Sequence, residues 1–258
     1  MPDKVQIMGI VNLTSDSFYA ASRCPDAAKA VKRAGKLLDE GADILDFGAC
    51  STRPGSLPVG AEEEWERMEP ALKAVREAFP EARISIDTYW AEVVRKAYTL
   101  IGPFMVNDIS AGAMDAEMLA TVGALSLPYI AMHMRGTPET MQSLTDYDGD
   151  IMDSIKTYFE EFSRKAAAAG ISEWILDPGF GFAKTREQNW EVLERLGELK
   201  CFGRPILAGL SRKSMFGVKP EDALEATLQA QRTAVAQGAT WLRVHDVAAA
   251  RAPLYSSI

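Results

Sequence analysis

Short apolar runs alternate with segments of helical periodicity along the whole chain, and this alternation limits the possible folds more than any other feature. About eight runs are rich in β-branched or large apolar residues: Val5–Val11, Asp43–Phe47, Arg83–Asp87, Phe104–Asn107, Pro128–Met132, Trp174–Asp177, Pro205–Gly209 and Trp241–Val244. The amphipathic segments between them are Ala27–Glu40, Ala61–Phe79, Ala91–Leu100, Ala116–Val122, Ile151–Ala169, Arg186–Leu196 and Glu221–Gln237. The pattern predicts strands and helices in strict alternation, which is typical of a parallel α/β fold.

The predicted strands are apolar on both faces, which indicates that helices cover one side of the sheet and a packed interior covers the other. With about eight such strands, we predict a single TIM-type (β/α)8 barrel in which residues 1–258 form one domain. A doubly wound open sheet is the alternative, because it also alternates strands and helices. Long segments follow several strands, so the functional face is expected at the strands' carboxyl ends.

Composition narrows the functional classes. Asp and Glu (36) outnumber Lys and Arg (28), and the net charge of -8 argues against binding to nucleic acid or to an anionic membrane surface. We find no signal peptide and no apolar run of about eighteen residues, so no membrane contact and a cytoplasmic location are expected. The three widely spaced cysteines indicate neither a disulfide framework nor a cysteine-based zinc site.

Three familiar catalytic patterns are absent from the chain. Residues 177–185 resemble a phosphate loop, but Pro178 and Ala183 stand where that pattern requires glycine. His133 and His245 are the only histidines, so no helix with a zinc-binding pair can be drawn, and there is no Gly-x-Ser-x-Gly elbow. These observations exclude a P-loop, a helical metalloprotease motif and a serine hydrolase elbow.

Polar residues follow nearly every predicted strand. Any single one is explained equally well as a turn or cap residue, but together they indicate one small-molecule site at the mouth of the barrel. The exit residues are Asn12, Ser51-Thr52-Arg53, Asp87, Asn107-Asp108, His133, Asp177, Ser211-Arg212-Lys213, and Arg243 with His245-Asp246.

Four of these exit residues suit a flat heterocycle with donor and acceptor edges. They are Asp87, Asn107, Asp177 and Lys213. A carboxylate can accept two parallel N–H bonds from an aminopyrimidine-type edge, and the amide and ammonium groups can serve the remaining acceptors.

A second subset indicates an anionic group beside the heterocycle. Arg243, His245 and the 211–213 segment supply cationic and hydroxyl donors near the last two strands, where barrels often hold phosphate. Asn12 is a neutral oxygen ligand that fits Mg²⁺ only next to a phosphate, because Mg²⁺ takes few protein oxygens and completes its shell with water and substrate.

The same segments, taken in order, closely resemble the dihydropteroate synthase family over almost the whole chain. The segments are Met8–Phe18, Ser51–Gly55, Ser85–Thr88, Asn107–Ser110, Met132–Pro138, Asp177–Phe182, Ser211–Ser214 and Arg243–Asp246. The resemblance implies a transferase of folate (tetrahydrofolate) biosynthesis that joins 6-hydroxymethyl-7,8-dihydropterin diphosphate to 4-aminobenzoate, giving 7,8-dihydropteroate and pyrophosphate. It also implies a sulfonamide target, a homodimer, and small molecules as the binding partners.

The resemblance further implies a role for each site residue. The pterin would be bound by Asp87, Asn107, Met132, Asp177, Phe182, Gly209 and Lys213. The diphosphate would be bound by Asn12, Thr52, Arg243 and His245, with Mg²⁺ on Asn12. The 4-aminobenzoate would contact Thr52, Arg53, Phe182 and Ser214. The catalytic residues would be Asp87, Asp177, Lys213, Arg243 and His245.

These roles suit a dissociative, SN1-like substitution. The conjugated pterin ring can stabilise positive charge on its methylene group as pyrophosphate leaves. Mg²⁺, Arg243 and His245 would then neutralise the leaving group, while Asp87 and Asp177 favour the cationic pterin.

The chain departs from the family pattern at several positions. Tyr19–Arg23 and Ser15 differ from the common first-loop sequence, Ala49-Cys50 replaces a common Gly-Glu pair, and the tail after Val247 is short. A corrinoid-linked pterin methyltransferase and a non-catalytic pterin-binding protein remain as alternative functions.

Overall fold

The computed structural model describes residues 5–13, 27–50 and 59–255, and strands alternate with helices through these ranges. The strands are β1 (Gln6–Asn12), β2 (Ile44–Gly48), β3 (Ile84–Asp87), β4 (Met105–Asp108), β5 (Tyr129–Met132), β6 (Trp174–Asp177), β7 (Leu207–Ala208) and β8 (Trp241–Val244). The α-helices are α1 (Ala27–Asp39), α2 (Ala61–Ala78), α3 (Ala91–Ile101), α4 (Met118–Ala124), α5 (Ile151–Ala169), α6 (Arg186–Glu194), α7 (Leu224–Gln237) and α8 (Val247–Tyr255).

The strands pair in parallel and close into a barrel. β1 pairs with β2 on one side and with β8 on the other, and pairing continues in sequence order from β2 to β6. β7 pairs with β8, and a bridge between Leu176 and Ile206 joins this end of the sheet to β6. An open doubly wound sheet would keep two unpaired edges, so this closure excludes it and confirms the predicted (β/α)8 barrel.

The barrel interior is apolar toward the amino-terminal ends of the strands. One buried cluster there consists of Met8, Ile44, Met105, Ile130, Ile175, Leu207 and Trp241. A larger buried cluster fills the space between the strands and the surrounding helices. Side chains along a strand alternate between its two faces, so residues two or four positions beyond the inner cluster also point into the barrel.

Capping residues fix the starts of α5 and α6, the helices that follow the loops after β5 and β6. Asp150 accepts hydrogen bonds from the backbone N–H groups of Met152 (2.7 Å) and Asp153 (3.3 Å) at the start of α5, as an N-cap residue does. Thr185 and Gln188 form a capping box at the start of α6. These caps fix where the loops after β5 and β6 rejoin the helical layer.

The segment after β8 forms a helix, α8, which packs against β1. A Cβ atom built on Gly9 would lie 3.2 Å from the side chains of both Leu37 and Val247, so glycine lets α1 and α8 approach β1 closely. Arg251 donates to the carbonyl oxygens of Gly41 (2.7 Å) and Val5 (3.1 Å). The short tail therefore still supplies the eighth helix of the barrel.

The structure differs from the sequence predictions mainly at element ends. α7 begins at Leu224 rather than Glu221, because Pro220–Asp222 forms a separate 3₁₀ turn. α6 ends at Glu194, and the chain continues as a 3₁₀ helix over Leu196–Phe202. None of the helices in the described ranges is long and apolar enough to cross a membrane.

One carboxyl group in the helical layer is buried without a hydrogen-bond partner. Glu64, in the first turn of α2, is fully buried, and its two oxygens make no hydrogen bond in the described part of the chain. Burial raises the pKa of Glu64 to about 8; the charges of Asp87 and Asp108 raise it further, while the charge of Arg67 opposes the rise. Glu64 is therefore mainly protonated at neutral pH.

We expect Glu64→Gln to stabilise the protein at alkaline pH. The pKa of about 8 in the folded state lies above the ordinary value of 4.5, so the folded protein binds this proton more tightly than the unfolded chain does. The resulting stability is fully present below the unfolded pKa and is lost as pH rises through the folded pKa. The amide does not titrate, so the Tm gain from Glu64→Gln should grow between about pH 5 and pH 8 and then level off.

Thermal unfolding across this pH range measures the effect, with the exposed Glu66→Gln as the matched control. The control's Tm difference should stay constant with pH. A Tm difference for Glu64→Gln that is equally constant would show that Glu64 is not protonated in the folded protein.

Candidate active site

Polar residues line the barrel interior at the carboxyl ends of the strands. Most stand two or four positions after a member of the apolar inner cluster, so the alternation of side chains directs them into the same interior. Asp87 lies opposite Asn107 in the register of β3 and β4. The resulting pocket residues are Asn12, Asp46, Asp87, Asn107, Met132, Asp177, Gly209, Arg243 and His245.

A network of charged groups crosses the floor of this pocket. Arg243 donates from Nε to Asp46 Oδ2 at 2.6 Å and from an Nη atom to Asp87 Oδ2 at 2.7 Å. Asp46 is fully buried and also accepts from Asn107 Nδ2 at 3.3 Å. Burial raises the pKa of Asp87, and the Arg243 guanidinium opposes that rise. Arg243 therefore balances carboxylates from two adjacent strands.

Asp177, at the end of β6, has one oxygen fixed by the backbone and one beside a glycine. Its Oδ1 accepts the N–H of Gly179 at 2.8 Å. A Cβ atom built on Gly209 would lie 3.7 Å from Asp177 Oδ2, so the glycine keeps space open beside this oxygen. Burial raises the pKa of Asp177, while Gly179 and Lys213 lower it.

Lys213, after β7, lies within electrostatic range of Asp177 and Asp87. Its ammonium nitrogen lies 4.5 Å from the centroid of the Phe182 ring, a distance at which cation–π attraction operates. Burial lowers the pKa of Lys213 to about 8, although Asp177 and Asp87 favour the charged form. Phe182 is buried in one cluster with Met132, so an apolar face adjoins the charged groups.

His245 lies just beyond β8 and is held by Ser211. The Ser211 hydroxyl accepts the backbone N–H of His245 at 3.2 Å and lies 2.9 Å from Nδ1. With the hydroxyl proton directed to Nδ1, the imidazole proton resides on Nε2. Burial lowers the pKa of His245 to about 3, and the charges of Arg243 and Arg33 add to the effect. His245 is therefore a neutral donor at physiological pH.

Arg212, in the same predicted cationic cluster, is a buried structural residue. It forms a two-pronged ion pair with Asp246 at 2.8 and 3.0 Å and also donates to the carbonyl oxygen of Pro220 at 2.5 Å. Its φ of 57° lies in the left-handed region, which is costly for a residue with a side chain. These bonds fix the backbone between Ser211 and Lys213.

The structure gathers most of the predicted site residues into this pocket. Ser214 is exposed at its edge, where it begins the 3₁₀ turn Ser214–Phe216. Thr52 and Arg53 lie outside the described residues. Arg243, which the sequence assigns to the diphosphate, contacts Asp46 and Asp87 and so also borders the predicted heterocycle site.

Two buried polar residues near the pocket, Asp46 and Lys184, were not predicted as site residues, and a third, His133, was predicted as a strand-exit residue without an assigned role. Asp46 stands inside an apolar run. Its only signal in the sequence is its position two residues after Ile44, which places it on the inward face of β2. Lys184 and His133 form a buried pair whose Nζ and Nδ1 atoms are 3.0 Å apart. No local pattern brings these two together, because 51 positions separate them.

The sequence as a whole matches one known enzyme family. The model of the pterin-binding enzymes matches residues 8–245, from the inner cluster of β1 to the histidine after β8. The chain belongs to the pterin-binding enzyme family.

Named members of the family agree with this assignment. The dihydropteroate synthase of Synechocystis sp. is 42% identical over 253 residues, which cover 95% of this chain and 86% of that protein. A structure of Yersinia pestis dihydropteroate synthase in complex with a sulfonamide drug matches with a TM-score of 0.92 and 35% identity, over 98% of this chain and 93% of that one. Thermus thermophilus dihydropteroate synthase in complex with 4-aminobenzoate matches with a TM-score of 0.86 and 38% identity, over 99% and 94%. This pterin-binding family member is therefore an enzyme, and a transferase.

Asp46→Ala should destabilise the pterin-binding barrel strongly. The substitution removes one of the two carboxylates that bind Arg243 and the acceptor of Asn107 Nδ2, which should cost about 1.5–3 kcal/mol. Urea unfolding measures the loss, and Asp39→Ala, at an exposed aspartate that ends α1, should change stability by less than about 0.5 kcal/mol. Equal stabilities of the two variants would contradict the role of Asp46 in balancing Arg243.

The two histidines provide a direct test of pocket burial. Burial lowers the pKa of His245 to about 3 and that of His133 well below 6.5. We expect the imidazole proton resonances of the folded protein to stay unchanged between about pH 5 and pH 8, whereas the urea-unfolded chain should titrate near pH 6.5. A midpoint near 6.5 for either histidine in the folded state would refute its buried, neutral form.

Proposed function

We propose that this chain is a dihydropteroate synthase of folate biosynthesis, which joins 6-hydroxymethyl-7,8-dihydropterin diphosphate to 4-aminobenzoate and releases pyrophosphate. The observation that carries the proposal is the convergence of the buried Asp177 and the partly buried Asp87 with Lys213 at the mouth of the barrel. The named relatives support the same activity.

The carboxylates suit the donor edge of a pterin. Asp177 is buried and Asp87 is largely withdrawn from water, so each gains from a ligand that supplies N–H donors in place of the lost water. Asn107 and Lys213 can donate to the acceptor atoms of the ring. Gly209 leaves space beside Asp177 where a side chain would stand. The pterin is therefore expected to lie with its aminopyrimidine edge toward these carboxylates.

The groups near β8 suit the leaving diphosphate. In the proposed reaction, the bond between the pterin methylene carbon and the diphosphate oxygen breaks, and its electron pair leaves with pyrophosphate. His245 offers a neutral N–H donor, and Arg243 supplies positive charge without needing to change protonation. Both groups are oriented before the reaction, so they stabilise charge as it develops on the leaving group.

The carboxylates also favour the positive charge that develops on the pterin. The arylamine nitrogen of 4-aminobenzoate then forms the new bond to the methylene carbon and loses one proton to solvent. No protein nucleophile is required in this SN1-like sequence. We place the 4-aminobenzoate beside Phe182 and Ser214, with Thr52 and Arg53 from the second loop. The Thermus thermophilus structure in complex with 4-aminobenzoate supports this choice of substrate.

Mg²⁺ fits this site as an ion that arrives with the diphosphate. The described residues contain no group of three or more His, Cys, Asp or Glu side chains that could hold a metal by themselves. Asn12, at the end of β1, offers one amide oxygen, which suits Mg²⁺ when phosphate oxygens and water complete the shell. Such an ion would withdraw charge from the leaving diphosphate. The homodimer and the cytoplasmic location stay predictions.

A direct assay tests the activity. The protein is incubated with the pterin diphosphate, 4-aminobenzoate and Mg²⁺, and pyrophosphate and dihydropteroate are measured. We expect both products in equal amounts, and inhibition by a sulfonamide that competes with 4-aminobenzoate. Pterin binding without product would indicate a non-catalytic pterin-binding protein, and methyl transfer to a corrinoid would indicate the alternative methyltransferase; either result would refute the proposal.

Single substitutions should affect the binding of the pterin and the turnover of 4-aminobenzoate differently. Lys213→Ala and Asp177→Ala each remove a charged group that is proposed to hydrogen-bond the pterin, so pterin binding should weaken by about thirtyfold or more. Arg53→Ala should chiefly lower turnover with 4-aminobenzoate. The matched controls are Lys219→Ala and Asp222→Ala, at exposed positions. Steady-state kinetics with each substrate varied in turn measures the split, and kinetics equal to the controls in all three variants would overturn these assignments.

A further inference from the structure

We propose that Lys184 is a positioning residue which, paired with His133, fixes the loop that presents Asp177 and Phe182 to the pterin. The link to the pterin rests on the proposed function, whereas the ordering of the loop does not.

Lys184 is buried, and its side-chain nitrogen has three hydrogen-bond partners. Its ammonium nitrogen lies 3.0 Å from His133 Nδ1 and donates to the carbonyl oxygens of Gly179 and Phe182, each at 3.1 Å. Burial lowers the pKa of Lys184 to about 7, while Asp177 favours the charged form. As an ammonium group Lys184 has three donors, so these three acceptors use all of them. The 179–184 segment is therefore folded around its own lysine.

The backbone of this loop is strained and needs side-chain contacts to hold it in one conformation. Gly179, Gly181 and Ala183 have φ values of 70°, 80° and 48°, so every second residue lies in the left-handed region. That region is easy for glycine but costly for Ala183. Gly179 is also required sterically, because a Cβ atom there would lie 2.1 Å from the carbonyl oxygen of His133. A strained loop keeps one conformation only when its surroundings over-determine it.

Two short chains of contacts connect Lys184 to the pocket. Lys184 binds the carbonyl oxygen of Gly179, and the N–H of Gly179 donates to Asp177 Oδ1 at 2.8 Å. Lys184 also binds the carbonyl oxygen of Phe182, whose ring lies 4.5 Å from Lys213 Nζ. The orientation of one pocket carboxylate and of one pocket ring thus depends on a residue that does not face the ligand.

His133 is suited to the role of acceptor. It is buried, and burial together with the charges of Lys184 and Arg135 lowers its pKa well below 6.5, so Nδ1 is available to Lys184. Its ring and that of Tyr158 pack nearly perpendicular to each other at a centroid distance of 4.9 Å. Its backbone N–H donates to the carbonyl oxygen of Asp177 at 2.9 Å, which ties the exits of β5 and β6 together. The pair thus joins two neighbouring strand exits beneath the pocket.

Hydrogen exchange of the ligand-free protein tests the ordering of the loop. In Lys184→Met the three bonds are lost at similar side-chain length, so we expect the amides of residues 179–183 to exchange about tenfold faster or more, since each lost charged bond contributes a factor of that size. Lys165→Met, at an exposed lysine of α5, should leave their exchange unchanged. Exchange equal to the parent protein in Lys184→Met would overturn the proposal.

Pterin affinity tests the link to the site, with the pterin diphosphate as the probe and no 4-aminobenzoate present. His133→Asn keeps an acceptor for Lys184 and His133→Leu removes it at nearly the same volume. We expect His133→Leu and Lys184→Met to bind the probe about tenfold or more weakly, and His133→Asn to bind within about threefold of the parent. Equal affinity of the Asn and Leu variants would overturn the pairing.

These readouts separate this proposal from the proposed function. A parent protein that does not bind the probe would refute the function, while the exchange of residues 179–183 would still decide whether Lys184 orders the loop. If Lys184→Met does not fold, the comparison of His133→Asn with His133→Leu decides the same point at the other end of the pair.

Discussion

The partly buried guanidinium of Arg243 is the charge on which the rest of the pocket depends. Asp46 and Asp87 lie on the adjacent strands β2 and β3, and moving each carboxylate out of water costs several kcal/mol unless a cation stands within hydrogen-bond reach. Arg243 provides that cation from β8, 197 positions after Asp46 along the chain. It reaches both carboxylates only because β1 pairs with β8 and closes the barrel. The charge balance of the pocket therefore depends on closure of the sheet.

The charge balance around Arg243 also separates two kinds of binding group in the pocket, carboxylates and hydrogen-bond donors. Arg243 and Lys213 each act electrostatically on both Asp87 and Asp177, while Asp46 is occupied by Arg243 and Asn107. Asp87 and Asp177 consequently lie close to cations, yet their desolvated oxygens still favour a ligand that brings N–H donors. His245 is partly buried and neutral, so it adds donor capacity near β8 without adding charge. One pocket can thus accept a donor-rich ring and an anionic group side by side.

The sequence predicts those parts of the site that depend on local pattern. Asp87, Asn107 and Asp177 end apolar runs, and the carboxyl ends of parallel strands share one face of a barrel, so their proximity follows from strand count alone. Asp46 was missed because β2 is buried on both faces, and a run of that kind does not reveal which residues point inward. The start of α7 was placed three residues early because acidic residues after Pro220 fit a helix equally well.

The contacts of Lys184 could not be predicted for a different reason. Its partners include His133, on another strand exit, and carbonyl oxygens whose direction depends on left-handed residues at 179 and 183. Neither the loop conformation nor the packing of β5 against β6 is encoded in the spacing of residue types. The motif at 177–185 can therefore be recognised in the sequence as a family feature. The role of Lys184 within it can be assigned only from the three-dimensional structure of the loop.

The departure at Ala49-Cys50 becomes understandable in electrostatic terms. Cys50 stands where the family commonly has glutamate, and its sulfur lies 3.5 Å from the hydroxyl oxygen of Tyr89. Burial raises the pKa of the Cys50 thiol, and the carboxyl groups of Glu64 and Asp87 raise it further, so this side chain is neutral at physiological pH. A glutamate at position 50 would meet the same burial and the same acidic neighbours, and its own ionisation would be opposed in the same way. The thiol therefore removes an acid from a region where Glu64 is already protonated.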